Sequence, residues 1–140
     1  MCIIVDANVA SAVFSSPTHA DFVPVVNWLF GARGKLVVGG KLEEELSKVS
    51  KAGRALVSLK RAGRLRQVPI TGTVIPSTGL PLKSNDQHII MLALAAGSRL
   101  LVSRDKLLHA DFTNPKLLAP RGKVYQNASH SALLRPDTCP

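Results

Sequence analysis

The sequence has few acidic and few aromatic residues for a chain of 140 amino acids. Nine Asp and Glu stand against 18 Lys and Arg, and the formal net charge is +9. A positive surplus of this size favours a polyanionic partner, with nucleic acid as the first candidate and an anionic membrane surface as the second. A protein that is simply basic, without such a partner, is the alternative interpretation.

The sequence also lacks the features of several other protein classes. Its two cysteines, Cys2 and Cys139, are too few for a disulfide framework and form no CxxC zinc motif. No apolar stretch approaches the ~20 residues of a membrane span, and the short apolar run at the N-terminus lacks the basic flank of a signal peptide. The glycine-rich loops that bind phosphate in common nucleotide-dependent enzymes are missing. These absences predict a cytoplasmic protein that does not enter a membrane.

Short aliphatic runs alternate along the chain with segments of helical periodicity. Strands are predicted at residues 2–5, 35–38, 65–68, 99–102 and 122–125, and helices at 7–14, 21–30, 41–49, 53–62, 87–96 and 106–110. This alternation predicts an α/β fold, a three-layer α/β/α sandwich with a central, mostly parallel sheet of four to five strands. We expect one domain over residues 1–128, a loop rich in proline and glycine over 69–83, and a C-terminal tail over 129–140.

Three of the scarce acidic residues lie next to predicted strands or helix starts. Asp6 follows the first strand, Asp105 follows the fourth, and Asp86 lies at the start of the most apolar helix. Each alone is explained equally well as a helix cap or a strand end. Together they are expected at one edge of a parallel sheet, where the carboxyl ends of the strands meet and ligands bind.

A fourth carboxylate is expected from the run Glu43-Glu44-Glu45. At ~100° per residue, Glu45 borders the apolar stripe of Leu42 and Leu46, whereas Glu44 points to solvent. Glu45 is therefore the glutamate best placed to reach an interior cleft. Three solvated glutamates in the first turn of a helix are the alternative.

Carboxylates held close together repel one another, and their pKa values rise unless a cation is present. Mg²⁺ or Mn²⁺ relieves this repulsion and prefers oxygen ligands. Such ions activate water and stabilise charge on a phosphodiester under attack. An acidic cluster on a basic protein is thus the arrangement expected of a nuclease.

The order and spacing of four segments resemble the PIN domain over essentially the whole chain. These segments are 3–8 (Ile-Ile-Val-Asp-Ala-Asn), 42–46 with Glu45, 85–95 (from Asn-Asp-Gln-His-Ile-Ile into an alanine-rich helix) and 101–105 (Leu-Val-Ser-Arg-Asp). By this resemblance four catalytic carboxylates bind Mg²⁺ or Mn²⁺, and they are Asp6, Glu45, Asp86 and Asp105. Ser103 and Asn8 would be supporting polar groups, and Asp111 is a lesser candidate for the site.

The resemblance further implies a metal-dependent endoribonuclease, often the toxin of a toxin–antitoxin pair. The expected partners are an RNA substrate and an antitoxin protein. A homodimer is an open possibility, because dimers are the commonest assembly in general.

No acidic residue occurs between Glu45 and Asp86, although this interval contains many basic ones. Seven of them fall within residues 48–66 and are Lys48, Lys51, Arg54, Lys60, Arg61, Arg64 and Arg66. The segment is a candidate for contact with RNA phosphates, and a solvated helix face or a surface for an acidic protein is the alternative.

The remaining polar residues offer no competing catalytic set. The four histidines are dispersed without metal-ligand spacing and are interpreted as structural or surface residues: His19, His88, His109 and His130. On a helical wheel His88 is expected opposite Asp86.

A phosphatase of the haloacid dehalogenase type would need a second aspartate where the chain has Asn8. The alternative from another class is a catalytically weak or inactive PIN-fold module that binds RNA or a protein.

Overall fold

The chain folds around one parallel sheet. The computed structural model describes residues 2–31, 33–70 and 82–135. The strands are β1 (Cys2–Val5), β2 (Lys35–Val38), β3 (Leu65–Gln67), β4 (Leu100–Val102) and β5 (Lys123–Tyr125). They lie in the order β3-β2-β1-β4-β5, and every neighbouring pair is parallel. The predicted α/β sandwich is therefore confirmed, with five strands in its central sheet.

Helices fill the intervals between the strands. They are α1 (Ala7–Val13), α2 (Val23–Phe30), α3 (Gly40–Lys48), α4 (Ser50–Arg61), α5 (Gln87–Ala96) and α6 (Lys106–Phe112), with 3-10 helices at Ala20–Phe22 and Ala128–Leu133. Helix α5 has the predicted bounds, because Gly97 adopts a left-handed conformation with φ of 68° and ends it. Helix α4 begins three residues earlier than predicted, since Gly53 is accommodated inside the helix. None of the described helices is long and apolar enough to cross a membrane.

The central strands are buried on both faces. Successive side chains of a strand point to opposite faces, and all four residues of β1 are buried. Helices therefore cover both sides of the sheet, as parallel sheets require. Because aromatic residues are scarce, the core consists mainly of Ile, Val and Leu, with Tyr125, Phe22 and Phe112 as its largest fully buried side chains.

The topology creates a switch point beside β1. From β1 the chain builds β2 and β3 on one side, and after β3 it crosses to β4 on the other side. The carboxyl ends of β1 and β4 thus lie side by side, with Val5 paired to Val102. In open parallel sheets this is where ligands bind, so residues directly after Val5 and Val102 are placed for function.

The C-terminal region packs against the domain beyond the predicted boundary at residue 128. Leu133 and Leu134 contact the hydrophobic core, and the Trp28 indole donates a 2.8 Å hydrogen bond to the carbonyl of Arg135. The last part of the predicted tail, 136–140, lies outside the described residues, as does 71–81 of the predicted loop.

Gly39 provides a test of how β2 is joined to α3, the helix that carries Glu45. A Cβ atom at Gly39 would lie 2.2 Å from the Val68 carbonyl oxygen, so β3 would have to move. Gly39→Ala should lower the free energy of unfolding by about 1–3 kcal/mol in urea denaturation. The matched control is Gly53→Ala in α4, whose nearest contact is an ordinary 3.4 Å. It should be neutral or stabilising by up to ~1 kcal/mol. Equal losses in both variants would contradict the steric argument.

Candidate active site at the carboxyl edge of the sheet

Asp6 occupies the centre of this edge. Its backbone N–H donates a 3.0 Å hydrogen bond to the Val102 carbonyl, which extends the pairing of β1 with β4. Asp6 is only 4 % exposed. Its carboxylate accepts hydrogen bonds from the Ser103 hydroxyl at 3.0 Å and from the Asn8 backbone N–H at 3.4 Å. The two residues that the sequence marks as supporting groups therefore both contact Asp6.

Ser103 links Asp6 to Asp105. While its hydroxyl donates to Asp6, the same oxygen accepts the Asp105 N–H at 3.1 Å. The Asp105 carboxylate caps α6 by accepting the N–H groups of Leu107 and Leu108 at 3.0 and 3.3 Å. One buried hydroxyl thus connects the carboxyl ends of β1 and β4 through two acids.

Asp86 occupies the N-cap position of α5 but makes no capping hydrogen bond with its side chain. Its pKa is raised by burial first, then by the charge of Asp6, and also by the charge of Asp105 and a side-chain hydrogen bond with it. The carboxylate therefore faces the other two acids rather than the helix it precedes. The alternative that Asp86 serves only as a cap does not describe this arrangement.

The structure separates the three consecutive glutamates. Glu44 is exposed, and the Glu43 carboxylate accepts a 2.6 Å hydrogen bond from the Gln67 amide. Glu45 is near enough to Asp6 for its charge to raise the Asp6 pKa. It is thus the one glutamate of the run whose charge acts on Asp6, in keeping with its position beside the apolar stripe of the helix.

One oxygen of Glu45 lacks a hydrogen bond. Glu45 Oε1 lies 2.7 Å from His88 Nε2, the separation of an ion pair. The same oxygen is buried and has no partner that meets hydrogen-bond geometry among the described residues. The contact with His88 is therefore a close approach of the two groups without the geometry of a hydrogen bond. This oxygen retains the capacity to accept a donor or bind a cation.

His88 belongs to the site, which the sequence analysis missed. The helical wheel placed it opposite Asp86, and this prediction is wrong. Asp86 has φ of −100° and ψ of 43° and lies outside the helix, so helical spacing does not relate the two side chains. His88 instead contacts Glu45, and its charge lowers the pKa of Asp86.

Burial and like charge act together on Asp6. Burial is the largest cause of its raised pKa, and the charges of Asp105 and Glu45 raise it further. The hydrogen bonds from Ser103 and Asn8 act in the opposite direction and favour the ionised form. Asp6 is therefore held in place as a carboxylate while its neighbours make its charge costly.

The donor set suits a hard divalent cation, although the side chains are not gathered around one. Four carboxylates supply oxygen ligands of the kind that Mg²⁺ and Mn²⁺ prefer. Glu45 Oε1 makes no hydrogen bond and Asp86 does not cap its helix, so neither carboxylate is saturated with donors. Over the described ranges, however, no three Asp, Glu, His or Cys side chains form a preformed metal site. The chemistry of the residues fits a cation, and its binding would require these side chains to turn inward.

Asp111 serves a different role from the one considered for it in the sequence. Its two buried oxygens accept hydrogen bonds from the Lys83 N–H at 2.9 Å and from the Ser84 N–H and hydroxyl, both at 2.8 Å. Ser84 in turn accepts the Asp86 N–H at 3.3 Å. Asp111 therefore fixes the segment that precedes Asp86. Both of its carboxylate oxygens are occupied by these hydrogen bonds.

Several basic residues near the site or in the predicted basic segment bind other groups of the protein. Arg104 pairs with Asp21 and stacks over the Phe22 ring at 4.8 Å. Arg64 and Arg66 donate to the carbonyls of Gly34 and Ala96, both at 2.9 Å. The remaining five residues of the segment are exposed and are Lys48, Lys51, Arg54, Lys60 and Arg61. Only this part of the segment is available to a polyanion.

No protein-family profile matches the chain, and neither does any curated protein or solved structure. The fold and the geometry of the carboxylates are therefore the observations from which a function is argued.

Removing the Asp111 carboxylate should destabilise the protein. Asp111→Ala would leave three donors without their acceptor, two of them in the buried Ser84, and we expect a loss of about 3 kcal/mol in urea denaturation. Asp111→Asn keeps one acceptor oxygen and should lose less. Amide hydrogen exchange at Ser84 should accelerate in both variants. Unchanged exchange at Ser84 would show that Asp111 does not hold this segment.

Asp86 should destabilise the metal-free protein near neutral pH. A carboxyl group whose folded-state pKa is raised favours the fold when protonated, fully below its ordinary value of 3.8, and this contribution is lost as pH rises through the folded pKa. Asp86→Asn should therefore raise the Tm in EDTA at about pH 7 and change it little at about pH 3. The exposed control Glu44→Gln should leave the Tm unchanged at both. A lower Tm for Asp86→Asn at neutral pH would show that favourable contacts outweigh the repulsion.

Proposed function

We propose that the protein is a metal-dependent endoribonuclease of the PIN type that hydrolyses RNA phosphodiester bonds. The supporting observation is that Asp6, at the switch point of the sheet, lies within electrostatic range of Glu45, Asp86 and Asp105, which come from three other segments, in a chain with a net charge of +9. Structural stability does not call for this cluster, because burial and mutual repulsion raise the pKa values of two of its members.

The four carboxylates would hold Mg²⁺ or Mn²⁺. When bound, such an ion supplies an activated water at neutral pH and stabilises charge on the phosphodiester. The basic surface attracts the RNA backbone, which the carboxylates alone would repel. No side chain is needed as a covalent nucleophile in this proposal.

Neighbouring residues keep the carboxylates ready for this role. The Ser103 hydroxyl and the Asn8 N–H donate to Asp6 and favour its ionised form, against the burial that raises its pKa. Two backbone N–H groups of α6 fix Asp105. His88 holds Glu45 at 2.7 Å, so that its carboxylate stays within the cluster. Asp86 does not cap α5, and its side chain interacts with Asp105 instead.

The PIN resemblance extends the proposal to partners. It suggests the toxin of a toxin–antitoxin pair in the cytoplasm, with an antitoxin protein as the partner. A homodimer follows only from the general frequency of dimers and not from the resemblance. The exposed basic side chains of α4 are candidates for contact with RNA.

One observation favours a second function, a catalytically weak or inactive module of the same fold that binds RNA or a protein. In the described part of the chain the acidic side chains do not form a preformed three-ligand metal site. A site that fails to bind metal would leave only the basic surface for binding.

The decisive experiment is cleavage of a panel of single-stranded and structured RNAs with Mn²⁺, Mg²⁺ or EDTA. Cleavage should require the metal and should fall by at least about a hundredfold in Asp6→Asn and Glu45→Gln, a loss of roughly 2.7 kcal/mol in transition-state stabilisation. Glu44→Gln is the matched control, because Glu44 is exposed in the same helix and should retain the parent rate.

The outcomes separate the two functions. Metal-dependent cleavage that is lost in Glu45→Gln and kept in Glu44→Gln supports the nuclease. Absence of both cleavage and Mn²⁺ binding in calorimetry favours the binding module. Cleavage by Asp6→Asn at the parent rate would show that the assigned residues are not the catalytic ones.

A further inference from the structure

A second polar site lies at the opposite edge of the sheet, where β4 and β5 begin. A cavity of about 130 Å³ opens there, far larger than one water molecule requires. Its lining consists of four basic and two apolar residues, which are Arg99, Leu100, Arg121, Lys123, Leu133 and Arg135. The paired residues Leu100 and Lys123 are the first of their strands, so the cavity and the carboxylate cluster lie at opposite ends of β4.

Arg99 is fixed in this cavity without a negatively charged partner. Its guanidinium donates to four backbone carbonyls at 2.9 to 3.0 Å, those of Ala93, Ser98, Ala119 and Pro120. These neutral acceptors orient the guanidinium but do not cancel its charge. Arginine stays protonated at neutral pH even when burial lowers its pKa, as it does here. The cavity wall therefore carries a permanent, immobile positive charge.

Three more cations surround it. Arg121, Lys123 and Arg135 are exposed, and none of their side chains forms an ion pair with a carboxylate of the described residues. Their donors are thus available to a ligand. Basic residues grouped around a concave surface focus the positive potential there, more strongly than the same charges spread over a convex face.

We propose that this cavity binds a phosphate group. A phosphate offers several acceptor oxygens and up to two negative charges, which matches cationic donors that converge from several side chains. Leu100 and Leu133 give the cavity an apolar side against which the organic part of a phosphate ester can pack. This inference does not depend on the proposed nuclease activity, because the carboxylate cluster takes no part in it.

The phosphate can come from two sources. It can be a free anion, such as inorganic phosphate or a nucleotide, or it can be a phosphodiester of an RNA strand. β5 is the edge strand of the sheet. An RNA bound at both sites would therefore pass along that side of the domain. The three residues of β4 separate the two edges by only about 10 Å.

The test is a titration of ¹⁵N-labelled protein with inorganic phosphate at constant ionic strength, followed by amide chemical shifts. We expect saturable shifts at Leu100, Lys123 and Leu133. In the double variant Arg121→Gln/Lys123→Gln, the affinity should fall at least about tenfold, as expected for the loss of two charge-assisted hydrogen bonds. Lys116→Gln is the control, because Lys116 is exposed but does not line the cavity.

Shifts that do not saturate, or that decrease equally in the double variant and in Lys116→Gln, would overturn the proposal. A second arm measures the binding of a single-stranded RNA in EDTA with inorganic phosphate as competitor. Competition, together with weaker RNA binding by the double variant, identifies the RNA backbone as the source. RNA binding that is unchanged by added phosphate and by the substitutions identifies a free phosphate or a nucleotide as the source.

Discussion

Repulsion among the carboxylates at the carboxyl edge of the sheet is the constraint to which much of the surrounding structure responds. Ser103 bridges Asp6 and Asp105, and Asp111 fixes the segment before Asp86 through Ser84. These hydrogen bonds determine positions and do not remove charge. The parallel pairing of β1 with β4 brings the acids together, so the fold itself creates the electrostatic problem that a cation would solve.

Outside this cluster, three of the scarce acids have local partners. Asp21 pairs with Arg104, Glu43 accepts the Gln67 amide, and Asp111 binds backbone N–H groups. Within the cluster, the part of the chain that the structure describes supplies one contact with a basic side chain, from His88 to Glu45. The chain has twice as many basic as acidic residues, yet no lysine or arginine of the described ranges forms an ion pair with the cluster. The raised pKa values of Asp6 and Asp86, without a Lys or Arg partner among the described residues, are the physical reason to associate the cluster with a ligand.

Sequence patterns predicted local features well and tertiary contacts less well. The limits of α5 follow from cap residues and Gly97, and the orientation of Glu45 follows from the angle between residues of one helix. The contact between His88 and Glu45 joins two helices, and no periodicity within either could reveal it. The packing of residues 128–135 depended in the same way on a distant partner, Trp28. Whether a basic side chain is free or bound to a carbonyl is likewise a tertiary property.

The direction of the helices explains how the two ends of the sheet carry opposite charges. Asp6, Asp86 and Asp105 occupy the N-cap positions of α1, α5 and α6, where the positive end of the helix dipole favours an anion. At the other end of α5, the Ala93 and Ala96 carbonyls accept hydrogen bonds from Arg99 and Arg66. A negative dipole end thus holds the cations there. In a parallel α/β fold, therefore, the alternation of strand and helix itself favours acids at one edge and bases at the other. Each edge becomes a separate place for a ligand of opposite charge.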